Sequence, residues 1–253
     1  MSARTNLKLA TRRYALGFGV TWEAYRYFRW WFISIAAVAM LAPLAIDQFS
    51  SAQIDLSAWE LVASAGKIFS AIIAGTFLYT LIPIALAQGL TRREYSTAMA
   101  LFGLGWSLVL GVIAVAGLLL EHLWYGLFDW NQALRGEAGE ITLGALRDVL
   151  VHGLHYPLSY LLFFTGGALI GAAAYRWDGG WLVLVPVASV VYALDFALTS
   201  SQAAGPTWFR WLTGLTGDAS TPAAAAAMVV LIVAMAWICR SILLRTPVRA
   251  KKA

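Results

Sequence analysis

The first residues to test for chemistry are Gly66 and Lys67, the only Gly-Lys pair in the sequence. A phosphate-binding loop needs a glycine five residues before the Gly-Lys glycine, and Ser or Thr directly after the lysine. Leu61 and Ile68 occupy those two positions. The chain therefore lacks this route to ATP hydrolysis, and any ATP-driven motion requires an ATPase on another polypeptide.

His152 and His155 form an H-x-x-H pair. Residues three apart share a helix face, so the pair raises the question of a metal site. No Cys or carboxylate accompanies it at ligand spacing, and the sequence contains no HExxH. We therefore expect no metal site, and interfacial histidines beside Tyr156 are the favoured interpretation. The single cysteine, Cys239, excludes a disulfide within one chain.

Lys67 and Asp195 are the ionisable residues closest to the hydrocarbon, and both lie within about two turns of the predicted outer interface. A charge at the centre of a bilayer costs at least roughly 2.5–3.5 kcal/mol, so such residues often serve transport. Near the end of a span, snorkelling to the interface or pairing with each other would account for these two charges without a transport role. Both explanations stay open. No Ser/His/Asp set, carboxylate pair or nucleophile motif occurs, so we predict no catalytic residue and no enzymatic activity in this chain.

The composition defines the elements that must position these residues. Hydrophobic residues make up 60% of the 253, charged residues make up 12%, and the mean hydropathy is +0.72. Soluble domains carry about 45–50% apolar and about 25% charged residues. This excess of apolar residues excludes an ordinary cytosolic enzyme and a disordered chain. The sequence predicts an integral membrane protein in contact with the lipid bilayer.

The predicted fold class is all-α, a polytopic membrane protein with six transmembrane helices in a single domain over residues 1–253. A membrane-crossing helix needs about 20 apolar residues. The predicted spans are 30–46, 61–88, 96–120, 152–175, 181–199 and 223–243. The longest loop, 121–151, carries apolar residues at helical spacing, so we expect short helices there that rest on the bundle.

Basic residues set the orientation, because Lys and Arg concentrate in cytoplasmic loops. Fourteen of the 18 lie in the N-terminal arm, in the loops around 91–95 and 176–180, and at the C-terminal end. Both termini are therefore predicted to be cytoplasmic, in the cell (inner) membrane. The net charge of +5 follows from this topology and does not indicate nucleic-acid binding.

Two segments have compositions typical of membrane helices. Residues 7–29 alternate cations with aromatic residues, which favours an interfacial amphipathic helix over a simple extension of the first span. Gly167 and Gly171 form a GxxxG motif, in which small residues let helix backbones approach closely. This motif predicts helix packing and only weakly indicates a dimer.

The stretch between the second and third spans, 89–95, has the sequence GLTRREY. Gly89 can end a helix in the left-handed conformation. Thr91 with Glu94 fits a capping box for the next helix. We expect a helical turn that displays Arg92, Arg93 and Tyr95 to the cytoplasm, either as a plain inner loop or as a docking element.

GLTRREY resembles the G-[IV]-T-R-[RK]-x-[FY] pattern of small bacterial permeases of the ABC-2 type, the transmembrane subunits of ABC exporters. The order of elements is also similar across nearly the whole chain, from an elbow helix to six spans with both ends inside. Glu121, at the end of the third span, fits the family as well.

The resemblance implies a permease subunit paired with a second permease chain, identical or related, and with separate ABC ATPase subunits that bind ATP and Mg. The stretch that includes Gly89, Thr91, Arg92, Arg93, Glu94 and Tyr95 would couple the permease to the ATPase. The cargo would be hydrophobic or amphipathic. The alternatives are a lipid-acting membrane enzyme and a non-transporting immunity or assembly factor.

Overall fold

The computed structural model describes residues 2–49, 57–128, 130, 132–136, 139–199 and 221–245. Most of these residues are helical. The helices are α1 Ser2–Phe49, α2 Ala58–Ala87, α3 Arg92–Gly126, α4 Leu146–Gly153, α5 Tyr156–Arg176, α6 Leu184–Thr199 and α7 Thr221–Arg245. A 3-10 turn, Gly180–Val183, precedes α6.

Within the described ranges, five helical stretches are long and apolar enough to cross a membrane. They are Tyr14–Phe49, Ala58–Ala87, Arg92–Gly126, Leu146–Arg176 and Ala225–Arg245. The stretch Gly180–Phe196 is apolar but shorter. The prediction of a helical, multi-pass membrane protein is thus confirmed, whereas a sixth span is not established by length.

The N-terminal region differs from the prediction of an interfacial helix over 7–29 followed by a separate span over 30–46. Both segments lie in α1, a single uninterrupted helix. The part of α1 around Gly17 and Thr21 packs against α3: a side-chain carbon on Gly17 would lie only 2.8 Å from the Cβ of Leu101. No proline interrupts α1 before Pro43, and Gly17 allows this close approach.

The loop over 121–151 also differs in part. Strands β1 Ala133–Gly136 and β2 Gly139–Thr142 form an antiparallel hairpin, with Ala133 opposite Thr142. The short helix α4 follows, with Val149 fully buried, as expected for a helix resting on the bundle. The fourth predicted span, 152–175, begins later as α5, because Pro157 occupies the first turn of that helix and favours a helix start there.

Contacts between the helices define their directions. Gly167 and Gly171 on α5 face Ala71 and Gly75 on α2, so these two helices run parallel. Side-chain carbons on the two α5 glycines would lie 2.0 and 2.5 Å from the carbonyl oxygens of Ala71 and Gly75, respectively. Only glycine permits this approach. The predicted packing motif therefore lies at an interface within the chain.

α6 returns alongside α5 in the opposite direction. Gly180 lies against Ala173 near the end of α5. Val191 on α6 faces Gly166, about two turns nearer the start of α5. Because α5 runs parallel to α2 and α6 runs antiparallel to α5, Asp195 near the end of α6 lies beside the N-terminal half of α2.

An aromatic cluster fills the centre of the bundle, where α1, α2, α3 and α5 meet. The ring centroids of Phe28 and Phe69 lie 5.1 Å apart at right angles, and those of Phe102 and Phe164 lie 5.4 Å apart. Trp106, between these pairs, is fully buried. Such offset and edge contacts contribute about 0.5–1.5 kcal/mol per pair beyond burial.

Candidate functional site

The turn between α2 and α3 has the local structure that the sequence predicts. Gly89 has φ +78°, the left-handed conformation that favours glycine. The amides of Gly89 and Leu90 donate to the carbonyl oxygens of Leu86 and Ala85, each at 3.1 Å, which completes a Schellman motif. α2 therefore ends in a defined geometry.

The start of α3 is capped on both sides. The amide of Glu94 donates to the Thr91 hydroxyl at 3.2 Å, and the Thr91 amide donates to the Glu94 carboxylate at 2.8 Å. This is the predicted capping box. The Schellman motif and the capping box together hold most of the turn in hydrogen bonds, so the connection between the two long helices is short and rigid.

The turn displays fewer side chains than predicted. Arg93 is exposed and Arg92 is half-buried, whereas Tyr95 is 4% exposed. The Tyr95 hydroxyl points back toward α2 and donates weakly to the Phe77 carbonyl at 3.4 Å. The prediction that Tyr95 is displayed is wrong, because its position on α3 places the ring between α2 and α3. Gly89, Thr91 and Arg93 form the exposed surface.

The end of α7 is attached to the same region. The Arg92 guanidinium donates to the Leu244 carbonyl at 3.4 Å, near the last residue of α7. One turn along α3, the Ser96 hydroxyl accepts from Arg240 at 3.4 Å. The C-terminal end of α7 therefore lies at the same end of the bundle as the turn.

Lys67 and Asp195 form a buried ion pair between α2 and α6. The Lys67 Nζ lies 2.8 Å from the Asp195 Oδ2, and the two side chains are 8% and 7% exposed. The Lys67 ammonium also lies 5.5 Å from the centroid of the Tyr156 ring, within cation–π range. Mutual pairing, one of the two explanations left open by the sequence, is what the structure shows.

A second set of polar groups continues from this pair toward the N-terminus of α2. The Tyr156 hydroxyl donates to the Glu60 carboxylate. The His152 Nε2 lies 3.2 Å from the same carboxylate, with His152 and Glu60 side chains 18% and 27% exposed. His155 lies beside Tyr156, with ring centroids 4.2 Å apart. These contacts connect α2, α4 and the start of α5.

Glu121 organises a second network at the start of α2. Its carboxylate accepts from the Trp59 amide at 2.9 Å, from the Gln132 side-chain amide at 2.9 Å, and from the Ser57 hydroxyl. Ser57 in turn caps α2 by accepting from the Glu60 amide at 3.1 Å. A carboxylate at a helix N-terminus satisfies free amides and opposes the positive end of the helix dipole.

Sequence reasoning missed Glu60 as a site residue and did not find the role of Glu121. One signal was available, because Ser57-Ala-Trp-Glu60 has the spacing of a capping box and marks the start of α2. The partners of Glu121 are distant in sequence, so their contact depends on the fold. Among the described residues, no three His, Cys, Asp or Glu side chains are grouped to hold a metal.

No protein-family model, curated protein or solved structure matches this chain. Its function is therefore inferred from chemistry and geometry. The arrangement offers an exposed, basic, well-capped turn at one end of the bundle. Toward the other end it offers ionisable groups that pair across α2, α4, α5 and α6.

Proposed function

We propose that this chain is the permease subunit of an ATP-driven ABC exporter of the ABC-2 type, located in the cell membrane. It is not itself an enzyme. ATP and Mg bind a separate ABC ATPase subunit, and a second permease chain completes the transporter. The cargo is a hydrophobic or amphipathic molecule, in keeping with the apolar and aromatic composition of the spans.

The observation that carries this proposal is the turn between α2 and α3. Its exposed residues include Gly89, Thr91 and Arg93, which belong to the stretch with the permease-like sequence. An exposed guanidinium on a short, capped turn suits docking to an acidic groove of another protein. Arg93 is the side chain we assign to this contact.

The helices on either side of the turn are suited to transmit motion. α2 has 30 residues and α3 has 35, and each starts or ends at a defined cap. A stiff element is needed to carry a displacement from one site to another. Nucleotide-driven movement of the ATPase would act on both helices at once.

Six spans with both termini in the cytoplasm are the topology that accompanies this function. The parallel course of α2 and α5, and the return of α6 beside α5, support a further pass before α7. The contact of Arg92 with Leu244 supports placing the end of α7 on the side of the turn. In this proposal α6, with its preceding 3-10 turn, is the fifth span.

A lipid-acting membrane enzyme is less well supported. Lys67 bonds Asp195, and Glu60 accepts from Tyr156 and contacts His152. These contacts join separate helices, which supports a role in helix packing for the groups concerned. An immunity or assembly factor would share the topology but would not bring an ATPase with it.

Charge reversal of Arg93 tests the proposal. The Arg93→Glu variant should retain less ATPase subunit during purification from native membranes, by at least about tenfold, because like charges would face each other at the contact. Cargo-stimulated ATP hydrolysis should fall with it. Arg147→Glu is the matched control, since Arg147 is exposed on α4, far along the chain from the turn.

Undiminished recovery of the ATPase with Arg93→Glu would remove Arg93 from the docking contact. If the unsubstituted chain copurifies with no ATP-hydrolysing subunit, the exporter proposal itself fails. Equal losses in the two charge-reversal variants would indicate a general effect of charge, and would also count against a specific docking turn.

A further inference from the structure

A cavity of about 470 Å³ lies between α1, α2 and α3, with one contribution from α5. Aromatic residues from α1 and α2 form much of its wall, including Phe28, Phe32 and Phe69. Small-molecule sites commonly have volumes of about 300–1,000 Å³. The cavity is therefore large enough for a ligand of that class.

The lining is apolar throughout. None of the residues that line the cavity in the described part of the chain is charged. Two of the polar groups that border it are bonded within the chain, because the Trp59 indole donates to the Ala114 carbonyl at 2.9 Å and the Tyr160 hydroxyl donates to the Ala63 carbonyl at 3.0 Å. A ligand here meets mainly hydrocarbon and aromatic surface.

The cavity opens sideways between α1 and α2. Trp31 and Leu61 line the mouth and are 65% and 76% exposed, whereas Trp59, Ala63 and Ala114 line the interior and are 3% or less exposed. The residues of both helices at the mouth belong to membrane-crossing stretches. The medium that faces the opening is therefore the hydrocarbon of the bilayer.

We propose that this cavity binds one acyl chain of a membrane phospholipid. A flexible alkyl chain can adapt to an apolar cavity, and it can enter from the bilayer without dehydrating a polar group. The headgroup stays outside the mouth, in keeping with the absence of charged lining residues. This site does not depend on the proposed transport function, because it follows from the cavity and its lateral opening.

Native mass spectrometry of the purified chain tests the assignment after extensive washing with detergent. We expect the wild type to retain one phospholipid per protomer. Ala65→Phe places an aromatic ring at the mouth and should lower phospholipid occupancy at least about tenfold. The matched control is Ala234→Phe, because Ala234 is exposed on α7 and lies outside the cavity. It should retain phospholipid as the wild type does.

A second variant tests the site without filling it. Ile113→Ala enlarges the cavity and should shift the retained phospholipids toward longer acyl chains, with thermal unfolding used to verify the fold. Equal occupancy in Ala65→Phe and the wild type, or an unchanged chain-length distribution in Ile113→Ala, would overturn the assignment. So would a wild type that holds no lipid, or one whose retained mass is a free alkyl amphiphile.

Discussion

Lys67 and Asp195 form an ion pair inside the bundle, and both side chains are buried. The two residues are separated by 128 positions, and their 2.8 Å contact depends on the return of α6 toward the N-terminal half of α2. A single buried charge is costly, and each member of the pair offsets the cost of the other only while both are present.

Removal of one member of this pair should be more harmful than removal of both. Asp195→Asn leaves Lys67 buried without its carboxylate and should lower the free energy of unfolding by about 3–5 kcal/mol. The double variant Lys67→Met, Asp195→Leu removes both charges and should recover much of that loss. The measurement is unfolding in detergent micelles, followed by a fluorescent probe of Cys239, which is buried in the folded chain.

The control for this prediction is Asp148→Asn, because Asp148 is exposed on α4. It should unfold close to the wild type. A transport role for the pair would appear differently, as a folded Asp195→Asn variant with lost transport. Equal stability of the wild type and Asp195→Asn would contradict a stabilising role for the ion pair between α2 and α6.

Glu60 and Glu121 show why the rest of the site was harder to predict. Each carboxylate lies near the start of α2, but their partners Tyr156 and Gln132 come from later parts of the chain. Local capping patterns are visible in sequence because they span three or four residues. Networks that join distant segments become visible only once the segments are placed.

At the scale of elements, the turn after α2 was the most predictable feature. Gly89, Thr91 and Glu94 act through contacts within a few residues, so the positive φ and the capping box follow from sequence alone. Tyr95 was assigned to the wrong environment because its exposure depends on how α2 and α3 pack. α1 also differs from the prediction, because the two segments predicted separately lie in one continuous helix.

The packing of α5 on α2 gives a testable element-scale prediction. In Gly167→Ala the new Cβ would lie 2.0 Å from the Ala71 carbonyl oxygen, so the two backbones must separate. Overpacking of this kind costs about 1–3 kcal/mol, and backbone contact places the expected loss at the upper end. The measurement is again the unfolding midpoint in detergent micelles.

Gly19→Ala is the matched control, because Gly19 lies on α1 with nothing within 4 Å of a new Cβ. It should be neutral or slightly stabilising, since alanine favours helix more than glycine. If Gly167→Ala leaves the monomer unchanged but disrupts an assembly of two chains, the motif would serve association between chains. That result would contradict its placement against α2.

At the scale of the whole molecule, composition predicted the membrane class and hydropathy predicted most of the spans. Hydropathy did not establish the number of passes, because the apolar stretch Gly180–Phe196 is shorter than the five candidate spans. Contacts between helices give their relative directions: α5 runs parallel to α2, α6 runs opposite to α5, and α7 ends beside Arg92. These directions support the proposal of a further pass.

The proposed orientation predicts a pattern of chemical labelling in intact cells. Cys239 is the only cysteine, so Cys239→Ala gives a background for single cysteines. Gln88→Cys and Asp178→Cys lie at exposed positions at the ends of α2 and α5, and Gly144→Cys is exposed between β2 and α4. A membrane-impermeant maleimide should label Gly144→Cys from outside, and should label the other two only after permeabilisation, because the proposed orientation places the basic loops in the cytoplasm. Labelling of Gln88→Cys and Asp178→Cys on opposite sides would contradict the parallel course of α2 and α5. Labelling of both from outside would preserve the bundle but invert it, and the turn with Arg93 would then be out of reach of any cytoplasmic ATPase.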